Sequence, residues 1–257
     1  MRDTIPQALE AFFEEHPRVA LAFSGGVDSA YLLYAARECG CDVTAYCVKS
    51  AFQPAFELDD AKRLADGLGA VMKILPVDAL ADAAVRANPA DRCYHCKRNL
   101  FAALIENAKA DGYDTLIDGT NASDDAGDRP GMRALVEMRV LSPLRLCGIT
   151  KAQVREYSRA AGLFTWDKPA YACLATRVPT GETITAEKLS RVEGAEQALF
   201  GLGFTDFRAR LFHDAARLQF PAAQLPEAVR KRKAIRDALK PYFDIVLIDT
   251  LDRGGDN

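Results

Sequence analysis

Two groups of residues in this chain carry chemistry in their type and spacing. The first is Ser24-Gly25-Gly26-Val27-Asp28-Ser29, which follows an apolar run at 19–23 and opens into a helix-like run at 30–38. A strand that ends in a Gly-rich turn at a helix N-terminus is a phosphate cradle, because backbone N–H groups and the helix dipole both point at an anion there. Gly25 and Gly26 let the backbone approach closely, in dihedrals that a β-carbon hinders. Asp28 binds a phosphate poorly by itself, so its expected partner is a Mg²⁺ that does bind one. The run lacks the Gly-Lys-Ser/Thr ending of the P-loop, so cleavage at the γ-phosphate is not the expectation. The second group is Cys93-Tyr94-His95-Cys96, just before a helical pattern. C-x-x-C at a helix start is a metal clamp or a redox pair. Two thiolates do not complete a tetrahedral zinc site, and there is no second C-x-x-C. The third candidate is Cys173, in Ala172-Cys173-Leu174-Ala175-Thr176-Arg177, with small flanking residues and a cation four positions on. Three thiolates leave one open corner on a cubane cluster or a metal, where an exogenous sulfide fits. Cys39, Cys41, Cys47 and Cys147 read as structural thiols.

The elements that must position these groups follow from the apolar pattern. Short apolar runs at 19–23, 43–48, 71–76 and 115–118 read as strands, and 28–38, 57–68 and 97–110 between them read as helices. Gly40, Gly69 and Gly112 stand where helix C-caps belong. Apolar strands separated by helices imply an α/β fold with a parallel sheet covered on both faces. Ligands of such sheets bind at the carboxyl ends of the strands, where the phosphate loop, Ser50 and the Asp118-Gly119-Thr120-Asn121 turn all fall. After Thr150 a helix at 151–161 leads to Trp166 and a Pro- and Gly-punctuated loop at 168–181. Then come a helix at 186–200, strands near 207–212 and 215–220, a helix at 225–239 and a strand at 245–248. The expected division is a phosphate-loop domain at 1–177 and a smaller α+β domain at 178–257, for substrate binding or oligomerisation.

Bulk properties bound the function. At 257 residues and 49% apolar the chain supports a real core. A net charge of −3 and a pI near 5.7 give no global attraction to nucleic acid. No long apolar span or signal peptide is read, so the expectation is a cytoplasmic protein without a membrane partner. Seven cysteines in such a chain read as thiols or ligands rather than disulfides.

The loop at 24–29 resembles the PP-loop of the ATP pyrophosphatases, which cut ATP between the α- and β-phosphates and adenylate a substrate. More specifically, the chain resembles LarE-type ATP-dependent sulfur transferases over nearly its whole length. The resemblance rests on Ser24 to Ser29; Asp91-Arg92-Cys93-Tyr94-His95-Cys96-Lys97; Asp118-Gly119-Thr120-Asn121; Arg129-Pro130-Gly131; Ser142-Pro143-Leu144; and 172–177. One departure is Asp128 before Arg129, where the family reads Tyr more often. The resemblance implies a Rossmann-like PP-loop fold with ATP and Mg²⁺. It implies adenylation and thiolation of the carboxylates of a pyridinium biscarboxylate mononucleotide, for a nickel-pincer cofactor. Members with the C-x-x-C imply a [4Fe–4S] cluster on Cys93, Cys96 and Cys173, with a sulfide or persulfide donor; others give up the sulfur of the cysteine at the position of Cys173. ATP contacts are expected from Ser24, Gly25, Gly26, Asp28, Ser29, Ser50, Gly119, Thr120, Asp124 and Arg129. Substrate phosphate or carboxylate contacts are expected from Arg177, Glu196, Arg208 and Arg210; the last two alternate along a strand and face one side. The family further implies a homo-oligomer. Three alternatives stand beside this reading: a tRNA thiolase or amide-forming synthetase of the same superfamily, a structural zinc pair beside a sacrificial Cys173, and a non-enzymatic iron or zinc binder.

Overall fold

The computed structural model describes residues 4–124 and 130–251. In chain order the elements are α1 (Gln7–Glu15), β1 (Arg18–Ala22), α2 (Val27–Glu38), β2 (Asp42–Lys49), α3 (Ala55–Gly67), β3 (Val71–Pro76), α4 (Ala83–Arg86), α5 (Arg92–Ala110) and β4 (Leu116–Ile117). They continue with α6 (Pro130–Glu137), α7 (Pro143–Leu146), α8 (Lys151–Ala160), a 3₁₀ turn (Leu174–Arg177), α9 (Ala186–Gly201), β5 (Arg208–Phe212), β6 (Ala215–Gln219), α10 (Leu225–Arg230), α11 (Arg232–Leu239) and β7 (Val246–Ile248). The chain forms two compact units, Met1–Ala79 with Asp91–Ala170, and Leu80–Ala90 with Tyr171–Asn257.

The first unit is built on a parallel sheet of order β3-β2-β1-β4. Its β1 is paired on both edges, and its side chains alternate between two cores. Val19 and Leu21 join Phe13, Leu32, Leu33 and Val154, whereas Ala20 joins Tyr46, Leu104, Leu116 and Leu135. This is why the strand reads as a continuous apolar run. Chain order runs outward from β1 through β2 to β3 and then resumes at β4 on the other side, so the crossovers diverge at β1. The loops after β1, β2 and β4 therefore share the carboxyl edge of the sheet. Gly40, Gly69 and Gly112 end α2, α3 and α5 in left-handed conformations, as their positions predict.

Two local elements differ from the expected ones. The Cys93 to Lys97 segment lies inside α5 rather than before it, because the helix starts at Arg92 with Asp91 in the N-cap position. The single helix expected over 225–239 is broken at Lys231. At the break Lys231 Nζ reaches the carbonyl of Leu202 at 3.0 Å.

The second unit has a three-stranded sheet of order β5-β6-β7, with an antiparallel β5–β6 hairpin and β7 parallel to β6. Its core gathers Leu189, Val192, Leu199, Leu211, Leu218 and Phe220. Residues 80–90 belong here because Gly181 and Ile184 donate to the carbonyls of Asn88 and Arg86 at 2.8 and 2.9 Å, and buried Asn88 donates to Pro179 O at 2.8 Å. The sequence shows no sign of that excursion.

Leu21 is fully buried in the middle of β1. Leu21→Ala is expected to lower the unfolding free energy by about 2–5 kcal/mol. Urea unfolding followed by the fluorescence of Trp166, the single tryptophan and part of the same unit, measures this.

Candidate functional site

The turn after β1 has the geometry of a phosphate cradle. Gly25 has φ +73°, and a Cβ there would lie 2.9 Å from Ala61 Cβ of α3, so no larger residue fits without strain. Gly26 occupies the N-cap position of α2 in an extended conformation with no side-chain cap, which leaves the donors of the first turn open to an anion. Ser24 and Ser29 tie the loop together: their hydroxyls are 3.1 Å apart, and the Ser29 hydroxyl donates to Gly26 O at 3.2 Å. The turn after β4 presses on the same helix start. A Cβ on Gly119 would lie 2.9 Å from Ser29 N, so only glycine permits this approach. Asp118 is buried and accepts from the hydroxyls of Thr120 and Ser142, both at 2.6 Å, which fixes that turn. Ser50, buried at the end of β2, accepts from Phe52 N. Ser24, Gly25, Gly26, Asp28, Ser29, Gly119, Thr120 and Ser50 thus share one edge of the sheet. Arg129 lies outside the described residues.

Asp28 is the centre of a charged cluster that the sequence showed only in part. Its Oδ2 accepts from Lys151 Nζ at 2.5 Å and its Oδ1 from Asn121 Nδ2 at 3.2 Å. Asp124 is held beside it, accepting from Asn121 N at 3.0 Å. Burial pushes the Asp28 carboxyl above its usual range; Lys151 opposes this and Asp124 adds to it. A half-buried carboxylate with a second carboxylate nearby is a donor set suited to a hard cation. Lys151 was not singled out from the sequence, although a signal existed. Thr150 and Gln153 form a capping box that starts α8, which places Lys151 in the first turn, where the helix dipole disfavours a cation. A residue set against its local preference often serves a site.

Cys93 and Cys96 sit three positions apart in the first turn of α5 and therefore share one face. Cys93 is exposed and Cys96 half-buried, and neither is in a disulfide. The guanidinium of buried Arg92 reaches the Cys93 sulfur at 3.7 Å. Cys41 and Cys47 are buried, and burial pushes the Cys41 thiol up to about 11, in keeping with structural thiols. Among the described residues, neither unit by itself gathers three His, Cys, Asp or Glu side chains as a metal-binding group. The three candidate ligands divide between the units, Cys93 and Cys96 in the first and Cys173 in the second.

In the second unit, exposed Cys173 precedes the 3₁₀ turn and sits in its N-cap position. Arg177, fully buried, donates to Ala172 O at 2.9 Å and pairs with Glu196 through Nε at 2.8 Å and Nη2 at 3.1 Å. Glu196, expected beside the substrate, is itself buried; it also accepts from Ala209 N at 3.0 Å and from the Tyr171 hydroxyl. Arg210 donates to Thr176 O and to Gln219 Oε1 at 2.8 and 2.7 Å. Arg208 differs from these: among the described residues its side chain makes no hydrogen bond or ion pair. Burial and the charges of Arg177 and Arg210 hold its pKa below the usual value, with Glu196 acting in opposition. An unpaired guanidinium beside two other cations is a place for an anion. The structure thus brings Cys173, Arg177, Glu196, Arg208 and Arg210 together and gives them unlike surroundings.

The raised carboxyl of Asp28 has a consequence for stability. A carboxyl whose folded pKa exceeds its unfolded one holds its proton more tightly in the folded state, so stability falls as pH rises from the ordinary 3.8 through the raised value. Asp28→Asn is expected to flatten that fall in a pH series of urea midpoints while losing ATP-dependent AMP formation. A fall as steep as in the parent would contradict the assignment.

No protein-family model matches the chain. An uncharacterised protein of Synechocystis is 39% identical over 223 residues, 86% of this chain and 83% of its own length. The tRNA-specific 2-thiouridylase MnmA of Frankia alni is 28% identical over 187 residues, 59% of this chain and 53% of its own length. The pyridinium-3,5-bisthiocarboxylic acid mononucleotide synthase of Lactiplantibacillus plantarum is 34% identical over 250 residues, which span 96% of this chain and 90% of that protein. A likeness of that depth along nearly the whole of both chains, on a parallel PP-loop sheet, makes this protein a member of the LarE family of ATP-dependent sulfur transferases.

Proposed function

We propose that the protein adenylates the carboxylates of pyridinium-3,5-biscarboxylate mononucleotide with ATP and replaces AMP by sulfur, forming the dithio ligand of a nickel-pincer cofactor. The observation that carries this reading is the near full-length likeness to a synthase named for that bisthiocarboxylic product. The chemistry requires activation, because a carboxylate oxygen is a poor leaving group and AMP is a good one. Ser24, Gly25, Gly26 and Ser29 hold the phosphates, Ser50, Gly119 and Thr120 line the nucleotide, and Arg129 of the Arg-Pro-Gly motif is assigned to the nucleotide as well. Asp28 and Asp124 are the carboxylates that would hold Mg²⁺, which supplies charge neutralisation to the departing pyrophosphate. Lys151, within 2.5 Å of Asp28, adds a cation to the same place. In the second unit Arg208 takes the substrate phosphate, while Arg177, Glu196 and Arg210 shape the site around it. Residues 178–257 are assigned to substrate binding and oligomerisation, in a cytoplasmic homo-oligomer. Among the described residues no helix is long and apolar enough to cross a membrane.

Cys93, Cys96 and Cys173 would hold a [4Fe–4S] cluster. The donor set suits one: three unbridged thiols, two of them exposed and the third half-buried. Three-thiolate ligation leaves one iron open to a sulfide from an outside donor. In the second reading Cys173 gives up its own sulfur once and Cys93 with Cys96 forms a structural zinc pair; it is favoured by the exposure of Cys173. A tRNA substrate has less support, because the MnmA relative matches only 59% of the chain and the net charge is −3.

Two measurements test these assignments. Cys173→Ala is expected to abolish thiocarboxylate formation in a mass-spectrometric assay with ATP, substrate and a sulfide source; parent-like turnover would refute the role of Cys173. Iron analysis of anaerobically purified protein, with a thiolate-to-iron charge-transfer band lost in Cys93→Ala/Cys96→Ala, is expected for the cluster. Zinc, or no metal, in a protein that still forms thiocarboxylate would select the sacrificial reading.

A further inference from the structure

We propose that Gln219 and Asp249 are positioning residues for sulfur transfer: through Arg210 they fix the Thr176 carbonyl and with it the turn that presents Cys173. The inference rests on the reading of Cys173 as the residue on which sulfur transfer depends.

The connection is a continuous series of side chains across the β5-β6-β7 sheet. Arg210 Nη1 donates to Thr176 O at 2.8 Å. Thr176 in turn closes the turn onto Cys173, donating to Cys173 O from its backbone N at 3.0 Å and from its hydroxyl at 2.8 Å. Arg210 Nε donates to Gln219 Oε1 at 2.7 Å, a diagonal pair across β5 and β6. Gln219 Nε2 donates to Asp249 Oδ2 at 3.1 Å. Asp249 is anchored in its place by Arg217 Nε at 2.8 Å and by Leu251 N, which donates to its Oδ1 at 3.2 Å.

The chemistry gives this series a direction. A guanidinium only donates and a carboxylate only accepts, so an amide between them has one satisfactory orientation, oxygen toward Arg210 and nitrogen toward Asp249. The lock has a purpose. Arg210 stands near Arg177 and Arg208, and like charges would drive a flexible arginine away from the turn. Gln219, held by a carboxylate, keeps Arg210 on the Thr176 carbonyl against that repulsion. The two arginines that alternate along β5 therefore divide the work: Arg208 keeps its donors for a ligand, and Arg210 gives donors to Thr176 and Gln219.

The test uses the full chain and two readouts, amide deuterium exchange of residues 172–178 and the kcat and KM of thiocarboxylate formation. Gln219→Glu sets a carboxylate against Asp249, and Gln219→Leu removes the link without adding charge. Both are expected to speed exchange in the turn by about tenfold and to lower kcat by about tenfold with KM for ATP unchanged. Asp249→Ala, which leaves the Gln219 amide without its carboxylate anchor, is expected to shift both readouts in the same direction as the Gln219 variants. Parent-like exchange in both Gln219 variants, or in Asp249→Ala, would overturn the proposal. So would exchange that rises evenly over the whole unit, the mark of general destabilisation. Should Cys173→Ala still form thiocarboxylate, the functional reading fails, while the exchange data still decide whether Gln219 and Asp249 position the turn.

Discussion

The arrangement of the first unit depends on β1 being paired along both edges and covered on both faces. A strand in that position contributes side chains to two cores at once, so its residues must be apolar without interruption, and its register is fixed from every side. The chain leaves such a strand only at its carboxyl end, where the crossovers diverge toward β2 and β4. Residues 24–29 are therefore delivered to the head of α2, between α3 and the turn after β4. The close approaches follow from this crowding. Gly25 lies against α3 and Gly119 against the first turn of α2, each at a distance that excludes a side chain. Surroundings this close fix the loop's backbone without the help of a ligand.

The second unit solves a different problem with a buried ion pair. Arg177 and Glu196 are both almost wholly removed from water. Burying two charges is costly, and the arrangement is tolerable because the remaining donors and acceptors are used. Glu196 accepts from Arg177, Ala209 and Tyr171, and Arg177 also holds Ala172 and the Thr176 hydroxyl. The pair thereby links α9, β5 and the turn after Cys173. With Arg177 neutralised locally, Arg208 remains without a hydrogen-bond or ion-pair partner for its side chain among the described residues. Arg210 is tied to the protein and Arg208 is left for an anion. A site of this kind separates the residues that bind from those that hold the binders in place, although both are arginines in the same strand.

Some of this was legible in the residues and some was not. The phosphate loop was, because glycines followed by Asp28 between an apolar run and a helical run have few other uses. The pairing of Asp28 with Lys151 was not, since the two are joined only when α8 comes beside α2; the one hint was a lysine in the first turn of a capped helix. Glu196 looked like a residue of an ordinary helix and is buried. Its neighbours in sequence carry no mark of that, because burial of one polar residue on a helix face is set by what packs there.

The sequence by itself determined the alternation of strands and helices, the glycine turn after β1 and the family. These rest on local pattern: periodicity, glycine at turns, and short motifs whose chemistry is contained in a few adjacent residues. Only the tertiary structure decided that residues 80–90 join the second unit, that Arg208 and Arg210 play unlike parts, and that Asp249 reaches the Cys173 turn through Gln219. Each of these depends on hydrogen bonds between residues far apart in the chain, and such contacts leave no periodic trace in any one segment. The direction of a side chain fixes its role, and that direction is set by partners brought near only by folding.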